Sequence, residues 1–200
     1  MVFKWLDIPN PFSSLPTAPK PGFIPVSVNW FPHRVCNYKC HFCFHTNTNN
    51  FLLPMDQAQR ALRLLADAGM KKLNISGGEP FLEPKYLGEV FKYCKEELCI
   101  ESCSVVSNGS EVTEKWLDTY GKYLDMIAIS CDSFDAETNL KQGRAENGTS
   151  ATHINTVFKV AQWAKERGIM VKINTVVTMQ VSLSPFRPCL TLITFGYDQQ

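Results

Sequence analysis

The sequence predicts an α/β domain in which parallel strands and helices alternate and the sheet curls into a partly open barrel. Segments typical of strands alternate along the chain with segments of helical periodicity. Connections of helical length between strands imply a parallel sheet. Four strands share one polar face, whereas a doubly wound sheet lies under helices on both faces and is apolar throughout. These observations together favour the barrel.

The first 25 residues differ in composition from the rest of the chain. Six of the twelve prolines fall within residues 9–25, which predicts an extended lead over residues 1–25. The domain proper is predicted over residues 26–177. Residues 178–200 contain Pro185 and Pro188 and show no useful period, so we expect an irregular, divergent tail there.

Within the domain, each element follows from local periodicity and from the residue that ends it. Strands are predicted over residues 26–30, 71–76, 102–106, 126–130 and 169–177, and helices over residues 55–68, 84–98, 112–123 and 151–167. Gly69 and Gly168 follow directly after two of the helices, where glycine typically ends a helix. The result is about five βα units.

The phase of the polar residues indicates which face of the sheet is wet. Successive strand side chains point to opposite faces, and the following polar residues share one face: Ser27 and Asn29; Lys72, Asn74 and Ser76; Ser130, with Asp132 beyond its strand; and Lys172 and Asn174. A polar face predicts a solvated barrel interior. The alternative is an open sheet with one face in solvent, although parallel sheets are normally covered on both sides.

Composition excludes several classes of protein. The chain has 200 residues, 44% of them hydrophobic, which is enough for a core and excludes general disorder. Its net charge of +1 argues against a nucleic-acid binder or a polybasic membrane protein. Without a spanning apolar run or an export signal, we expect a cytoplasmic protein with no transmembrane segment. The chain has eight cysteines, and we expect some of them to serve metal binding or catalysis rather than a disulfide framework.

Three of these cysteines are closely spaced after the first strand. Cys36, Cys40 and Cys43 occur in the segment CNYKCHFC, at the edge of the sheet where active-site loops of βα barrels emerge. A structural zinc site needs a fourth ligand, which one of the histidines at positions 33, 41 and 45 would supply. A 4Fe-4S cluster held by three cysteines instead leaves one iron open, as a catalyst requires. Both readings stay open on spacing alone.

The cysteine segment resembles the signature of the radical S-adenosylmethionine superfamily, Cys-x-x-x-Cys-x-aromatic-Cys. The segment SGGEP after the second strand, residues 76–80, is similar to the Gly-Gly-Glu-Pro motif of the same superfamily. Further segments resemble its viperin-like branch of antiviral nucleotide dehydratases in the same order: SVN at 27–29, VSNGS at 106–110, AISCDSFD at 128–135 and KIN at 172–174. This resemblance covers about residues 25–177 and implies a radical SAM type of barrel whose last unit is missing.

The resemblance implies roles for particular residues. Cys36, Cys40 and Cys43 would bind the 4Fe-4S cluster; Glu79, with the backbone of Gly77 and Gly78, would hold the amine of S-adenosylmethionine; Phe42 would flank its adenine; and Ser130 and Arg144 would bind its ribose and carboxylate. Asn29, Lys72 and Lys172 match positions that line a nucleoside triphosphate site. The alternative for Arg144 is a surface loop residue, and without the resemblance each lysine taken alone would be read as a solvated strand-end residue.

The resemblance also implies a reaction. With an electron donor protein, the cluster would cleave S-adenosylmethionine, and the resulting radical would start the dehydration of CTP or a related nucleotide to 3′-deoxy-3′,4′-didehydro-CTP. The alternatives are a radical enzyme acting on a peptide or small molecule, and an inactive iron–sulfur fragment. The proline-rich lead departs from the amphipathic membrane helix of animal relatives. Cys94, Cys99, Cys103 and Cys131 are expected to be buried structural thiols.

Overall fold

A computed structural model describes residues 24–44, 51–144 and 153–179. The strands are β1 (Ser27–Trp30), β2 (Lys72–Ile75), β3 (Ser102–Ser107), β4 (Met126–Ser130) and β5 (Met170–Asn174). The α-helices are α1 (Met55–Asp67), α2 (Pro84–Glu96), α3 (Glu114–Tyr120), α4 (Ala136–Lys141) and α5 (His153–Glu166). Most of the predicted lead, most of the predicted tail and the first two residues of the predicted last helix lie outside the described residues.

The five strands form one parallel sheet in the order β1-β2-β3-β4-β5. Because each strand lies beside its predecessor in the chain, every connection advances in the same direction, and right-handed crossovers then place the helices on a single face. A doubly wound sheet would instead reverse its strand order at a switch point. The order therefore confirms the predicted class, a partial βα barrel.

The two faces of the sheet differ as predicted. In register, Asn29 lies beside Asn74, and Asn74 lies beside Ser104. The amide of Asn74 donates to Oδ1 of Asn29 at 3.0 Å, and the hydroxyl of Ser104 donates to Oδ1 of Asn74 at 2.9 Å. Polar side chains thus bond to one another across three strands, on the face opposite the described helices.

The opposite face forms the hydrophobic core. Its strand residues are fully buried and pack against apolar side chains of the helices: Leu73, Ile75, Val105, Ile127 and Ile129 from the sheet, with Leu62, Leu87, Phe91, Leu117 and Val160 from the helices. Burying apolar side chains of this size contributes about 1.5–3 kcal/mol each. The core therefore holds the sheet rigid beneath the loops that follow its strands.

The bounds of two predicted elements change for local reasons. Helix α3 begins after Thr113 because the Thr113 hydroxyl accepts from the backbone N–H of Trp116. It gives way to a single 3-10 turn at Gly121–Tyr123. Strand β5 ends at Asn174 rather than at residue 177, since the next residues bond elsewhere: the Thr175 hydroxyl donates to the carbonyl of Cys131 at 2.7 Å.

Helix α4 was not predicted. It is one and a half turns long, which is too short for helical periodicity to show in the sequence. Its start is nevertheless fixed by a cap, because the carboxylate of Asp135 accepts from both the backbone N–H and the hydroxyl of Thr138. This short helix carries the chain from β4 to Arg144.

Of the four described cysteines that were expected to be buried thiols, three follow the prediction. Cys94, Cys103 and Cys131 are buried, as expected. Cys99 is exposed, so the prediction was wrong for this residue. It lies in the tight connection between α2 and β3 and has a φ of 53°, which turns the chain at the surface rather than in the core.

The helices in the described part of the chain are all too short or too polar to span a membrane.

Candidate active site

A cavity of about 550 Å³ opens at the carboxyl edge of the sheet. Its size is typical of small-molecule sites. The lining includes nine of the predicted site residues: Cys36, Cys40, Cys43, Phe42, Gly77, Gly78, Glu79, Ser130 and Arg144. The loops after β1, β2 and β4 thus bring together in one place the residues expected to hold a cluster and S-adenosylmethionine, although those residues span more than 100 positions of the sequence.

Backbone hydrogen bonds join the cysteine loop to the turn after β2. The N–H of Gly78 donates to the carbonyl of His33 at 3.2 Å, and that of Glu79 donates to the carbonyl of Val35 at 2.8 Å. A Cβ atom on Gly78 would lie 1.8 Å from the carbonyl oxygen of Val35. Only glycine fits this approach, so the paired glycines serve the contact between two loops of the protein in addition to lining the cavity.

A second glycine turn supports the other side of the cysteine loop. Gly143 has a φ of 73°, and a Cβ atom there would lie 2.2 Å from the carbonyl oxygen of Lys39. Next to it, the N–H of His41 donates to the carbonyl of Gln142 at 2.9 Å. The loop is therefore held between the turn after β2 and the turn after α4.

Glu79 is almost fully buried at the wall of the cavity, with 1% of its surface exposed. Its carboxylate accepts from the N–H of Phe81 at 3.0 Å, the hydroxyl of Ser107 at 2.8 Å and the N–H of Asn108 at 2.7 Å. Burial nevertheless raises the pKa of Glu79 to about 7. A buried carboxylate held in this way favours a cationic ligand, since a cation offsets the cost of keeping the charge out of water.

Arg144 forms a buried ion pair, so the alternative interpretation of it as a surface loop residue is wrong. Its Nε donates to Oδ2 of Asp132 at 2.7 Å, and both side chains are almost fully buried. The guanidinium lies over the ring of Phe42, 5.3 Å from its centre. Oδ1 of Asp132 accepts from the N–H of Val176 at 2.9 Å, so this pair also secures the segment after β5.

Tyr38 and His153 connect the cysteine loop to helix α5. The Tyr38 hydroxyl and Nδ1 of His153 are 3.4 Å apart, and the rings meet edge to face at 5.6 Å. Nε2 of His153 bonds to the carbonyl oxygen of Ser130 at 2.9 Å. Burial, with the nearby charge of Arg144, lowers the pKa of His153 to about 4, so the imidazole is neutral at pH 7.

The donor set fits the predicted cofactors. Burial raises the pKa of the Cys36 thiol to about 11 and also raises that of Cys40, and a metal centre would supply the positive charge that favours their thiolates. No three His, Cys, Asp or Glu side chains among the described residues are placed to share one metal ion. A cluster of several irons takes its cysteines at separate irons, so thiols spread along a cavity wall suit it.

The residues predicted to bind a nucleotide lie elsewhere. Asn29, Lys72 and Lys172 are exposed on the polar face of the sheet and do not line the cavity. The three side chains lie on the same face of the sheet but at different positions along their strands. Lys72 is the first residue of β2, whereas Lys172 lies in the middle of β5. The structure thus shows the shared face that was predicted, and the proposed triphosphate site stays a prediction.

Sequence reasoning assigned no role to several residues that build the site. Ser107, Asp132 and His153 each bond to a predicted site residue, and Asn37, within the cysteine loop, bonds to Asn108 after β3. Three of them directly follow strands or lie in the cysteine loop, so their position at the carboxyl edge of a parallel sheet was an available signal. His153 had no such signal, because it stands at the start of a predicted helix.

Comparison with known families agrees with this geometry. Residues 30–190 match the family model described as the radical SAM superfamily. The chain belongs to the radical SAM superfamily. Members of this superfamily use a 4Fe-4S cluster and S-adenosylmethionine, so the predicted family and cofactors are confirmed at the level of the family.

Curated relatives point to one branch of the superfamily. The chain is 52% identical over 159 residues to the S-adenosylmethionine-dependent nucleotide dehydratase RSAD2 of Danio rerio, covering 78% of the chain and 44% of the relative. A S-adenosylmethionine-dependent nucleotide dehydratase of a Thermoplasmatales archaeon is 34% identical over 163 residues, covering 81% of the chain and 56% of the relative. The chain therefore spans about half the length of these relatives.

Solved structures share the fold. Streptococcus suis SuiB bound to S-adenosylmethionine matches with a TM-score of 0.65 and 25% identity, over 78% of this chain and 35% of SuiB. Native anSMEcpe with bound AdoMet matches with a TM-score of 0.65 and 19% identity, over 77% of this chain and 45% of that one. Both agree with the partial barrel derived from the strand order.

Proposed function

We propose that this chain carries the cluster and S-adenosylmethionine site of a radical enzyme that dehydrates a nucleoside triphosphate, with CTP as substrate and 3′-deoxy-3′,4′-didehydro-CTP as product. The observation that carries the proposal is the single cavity that gathers the three motif cysteines, Glu79 and Arg144. The nucleotide assignment is supported by the names of the relatives and by the basic side chains on the polar strand face.

Each part of the site has a task that its chemistry suits. Cys36, Cys40 and Cys43 would hold the cluster, and Glu79 would bind the amine of S-adenosylmethionine as its counter-charge. Arg144, held by Asp132, would face the carboxylate, while Phe42 and Ser130 would contact the adenosine. When bound, these cofactors supply a carbon radical that abstracts hydrogen from substrate. The protein positions substrate beside them and keeps water out.

The nucleotide would lie on the polar face of the strands. Lys72 and Lys172 supply positive charge for a triphosphate, and Asn29 supplies a polar side chain on the same face. The proposal includes an electron donor protein and a role in antiviral defence, with no nucleic-acid partner. It also includes a cytoplasmic location, which suits the many thiols of the chain.

The test measures formation of 5′-deoxyadenosine by the anaerobically reconstituted chain with S-adenosylmethionine and dithionite, with and without CTP. We expect a rise that depends on CTP, together with a didehydro nucleotide detected by mass spectrometry. Formation of 5′-deoxyadenosine that ignores CTP would contradict the substrate assignment. If a loaded cluster gives none, the chain holds a cofactor site without this activity.

A matched pair of lysines tests the nucleotide site separately. Lys72 points to the polar face, whereas its neighbour Lys71 bonds to Glu101 at 3.0 Å on the surface. We expect Lys72→Ala to weaken CTP binding about tenfold and Lys71→Ala to leave it within twofold, because only the first removes charge from the proposed site. Equal effects of the two substitutions on CTP affinity would argue against this location.

A further inference from the structure

The turn after β3 touches both halves of the candidate site. We infer that Asn37 and Asn108 are positioning residues. Their paired amides hold the cysteine loop at a fixed position relative to Glu79, so that S-adenosylmethionine can contact the loop and Glu79 together. This inference rests on the proposed cofactor site, and it adds two residues to which no role in that site has been given.

The pairing is a closed ring of hydrogen bonds. Nδ2 of Asn108 donates to Oδ1 of Asn37 at 2.9 Å, and Nδ2 of Asn37 donates to the hydroxyl of Ser110 at 2.8 Å. The backbone N–H of Ser110 in turn donates to Oδ1 of Asn108 at 2.9 Å. Each amide therefore both donates and accepts, which fixes its orientation. We call these three residues the amide latch.

The same turn holds Glu79 at its other side. The backbone N–H of Asn108 and the hydroxyl of Ser107 donate to the two carboxylate oxygens of Glu79, at 2.7 and 2.8 Å. The hydroxyl of Ser107 also accepts from the N–H of Gly109 at 2.8 Å. Asn108 thus binds Glu79 with its backbone and the cysteine loop with its side chain.

The latch acts at the right point of the loop. Asn37 directly follows the motif cysteine Cys36, and Asn108 is 95% buried. The hydrogen bonds between this loop and the turn after β2 use backbone atoms, whereas the latch joins the loop to the turn after β3 through side chains that mutation can remove. Buried amides that lose a partner leave unpaired polar groups, and the loop would shift to satisfy them.

A ligand that contacts both the cysteine-held cluster and Glu79 has an affinity that depends on the distance between these two groups. When the latch is intact, that distance is set before the ligand arrives, so little binding energy is lost to reorganisation. Without the latch, the loop and Glu79 would each keep their own contacts but not their relative position. The expected loss is therefore in affinity for S-adenosylmethionine, with cluster uptake largely retained.

The experiment measures the dissociation constant of S-adenosylmethionine by calorimetry on the full, cluster-loaded chain, at matched iron and sulfide content. The variants are Asn37→Ala, Asn108→Ala and the double variant. Thr113→Ala serves as control, because it removes a helix cap and so destabilises the fold without touching the latch. Urea unfolding of every variant reports its stability.

We expect each single substitution to weaken binding about tenfold and the double variant to be no more than threefold weaker still, because both remove the same contact. Thr113→Ala should bind as the wild type does. Unchanged affinity in both singles, fully multiplied losses in the double variant, or an equal loss in Thr113→Ala would each overturn the inference. A loaded wild type that fails to bind S-adenosylmethionine would overturn the proposed function itself, and the inference with it.

Discussion

The raised pKa of Glu79 predicts that the affinity for S-adenosylmethionine depends on pH. Its pKa is raised to about 7 by burial, so at pH 6 the carboxyl of the ligand-free protein is mainly protonated. Binding the protonated amine of S-adenosylmethionine requires the carboxylate, and affinity should therefore rise about tenfold from pH 5.5 to pH 7, a range in which the amine of the ligand itself stays mainly protonated. Calorimetry across this range checks it. Glu79→Gln should bind weakly at all pH values, and a parallel pH dependence in that variant would contradict the assignment.

Gly78 shows why one methyl group matters at this site. A Cβ atom there would overlap the carbonyl of Val35, so we expect Gly78→Ala to displace the cysteine loop, to destabilise the fold by about 1–3 kcal/mol and to lower iron uptake. Gly168→Ala is the matched control. It has a φ of 71° with open space around it, so it costs about 1 kcal/mol of strain only.

Two measurements distinguish these two glycine variants: the iron content per chain after reconstitution, and the stability from urea unfolding. Both should lose stability, and only Gly78→Ala should lose iron. Normal iron uptake by Gly78→Ala would mean that the loop accommodates the methyl group without moving its cysteines.

At the scale of a single element, helix α3 depends on its cap. The hydroxyl of Thr113 accepts from the N–H of Trp116 at 3.2 Å, and Trp116 packs edge to face on Phe81 with ring centres 4.8 Å apart. Thr113→Ala should lower the free energy of unfolding by about 1 kcal/mol, measured by urea denaturation. Thr113→Ser keeps the hydroxyl and should recover most of it; a serine variant as unstable as the alanine variant would locate the effect in packing instead.

The elements also show how far sequence reasoning reaches. The parallel sheet of a partial barrel and its polar face follow from connection lengths and from periods of two, and both predictions were confirmed. The nine cavity residues follow from the family resemblance, which the two motifs after β1 and β2 carry. Helix α4 and the early end of β5 depend instead on single contacts, those of Asp135 and Thr175, which leave no period in the sequence. The amide latch was not predicted either, because it also depends on single contacts and its partners are far apart in the chain.

At the scale of the whole molecule, the site belongs to the sheet rather than to any one loop. The sequential strand order brings the loops after β1, β2, β3 and β4 to one edge, and the core beneath them fixes their spacing. The loops then contact one another across the cavity through Glu79, through Arg144 over the ring of Phe42, and through the amide latch. We expect site geometry and global stability to be linked, because the same contacts serve both.

His153 provides the test of that link. Burial lowers its pKa to about 4, below the ordinary value of 6.5, so the folded chain binds fewer protons there than the unfolded chain between these pH values. Stability from this group is therefore fully present above pH 6.5 and falls as the pH drops toward 4, by up to about 3 kcal/mol. Urea unfolding of iron-free wild type and His153→Gln from pH 7.5 to 4.5 isolates this contribution, since all other titrating groups are shared. The stability advantage of the wild type should shrink steadily as the pH falls, whereas a constant difference between the two proteins would show that His153 stabilises the cysteine loop without titrating in this range.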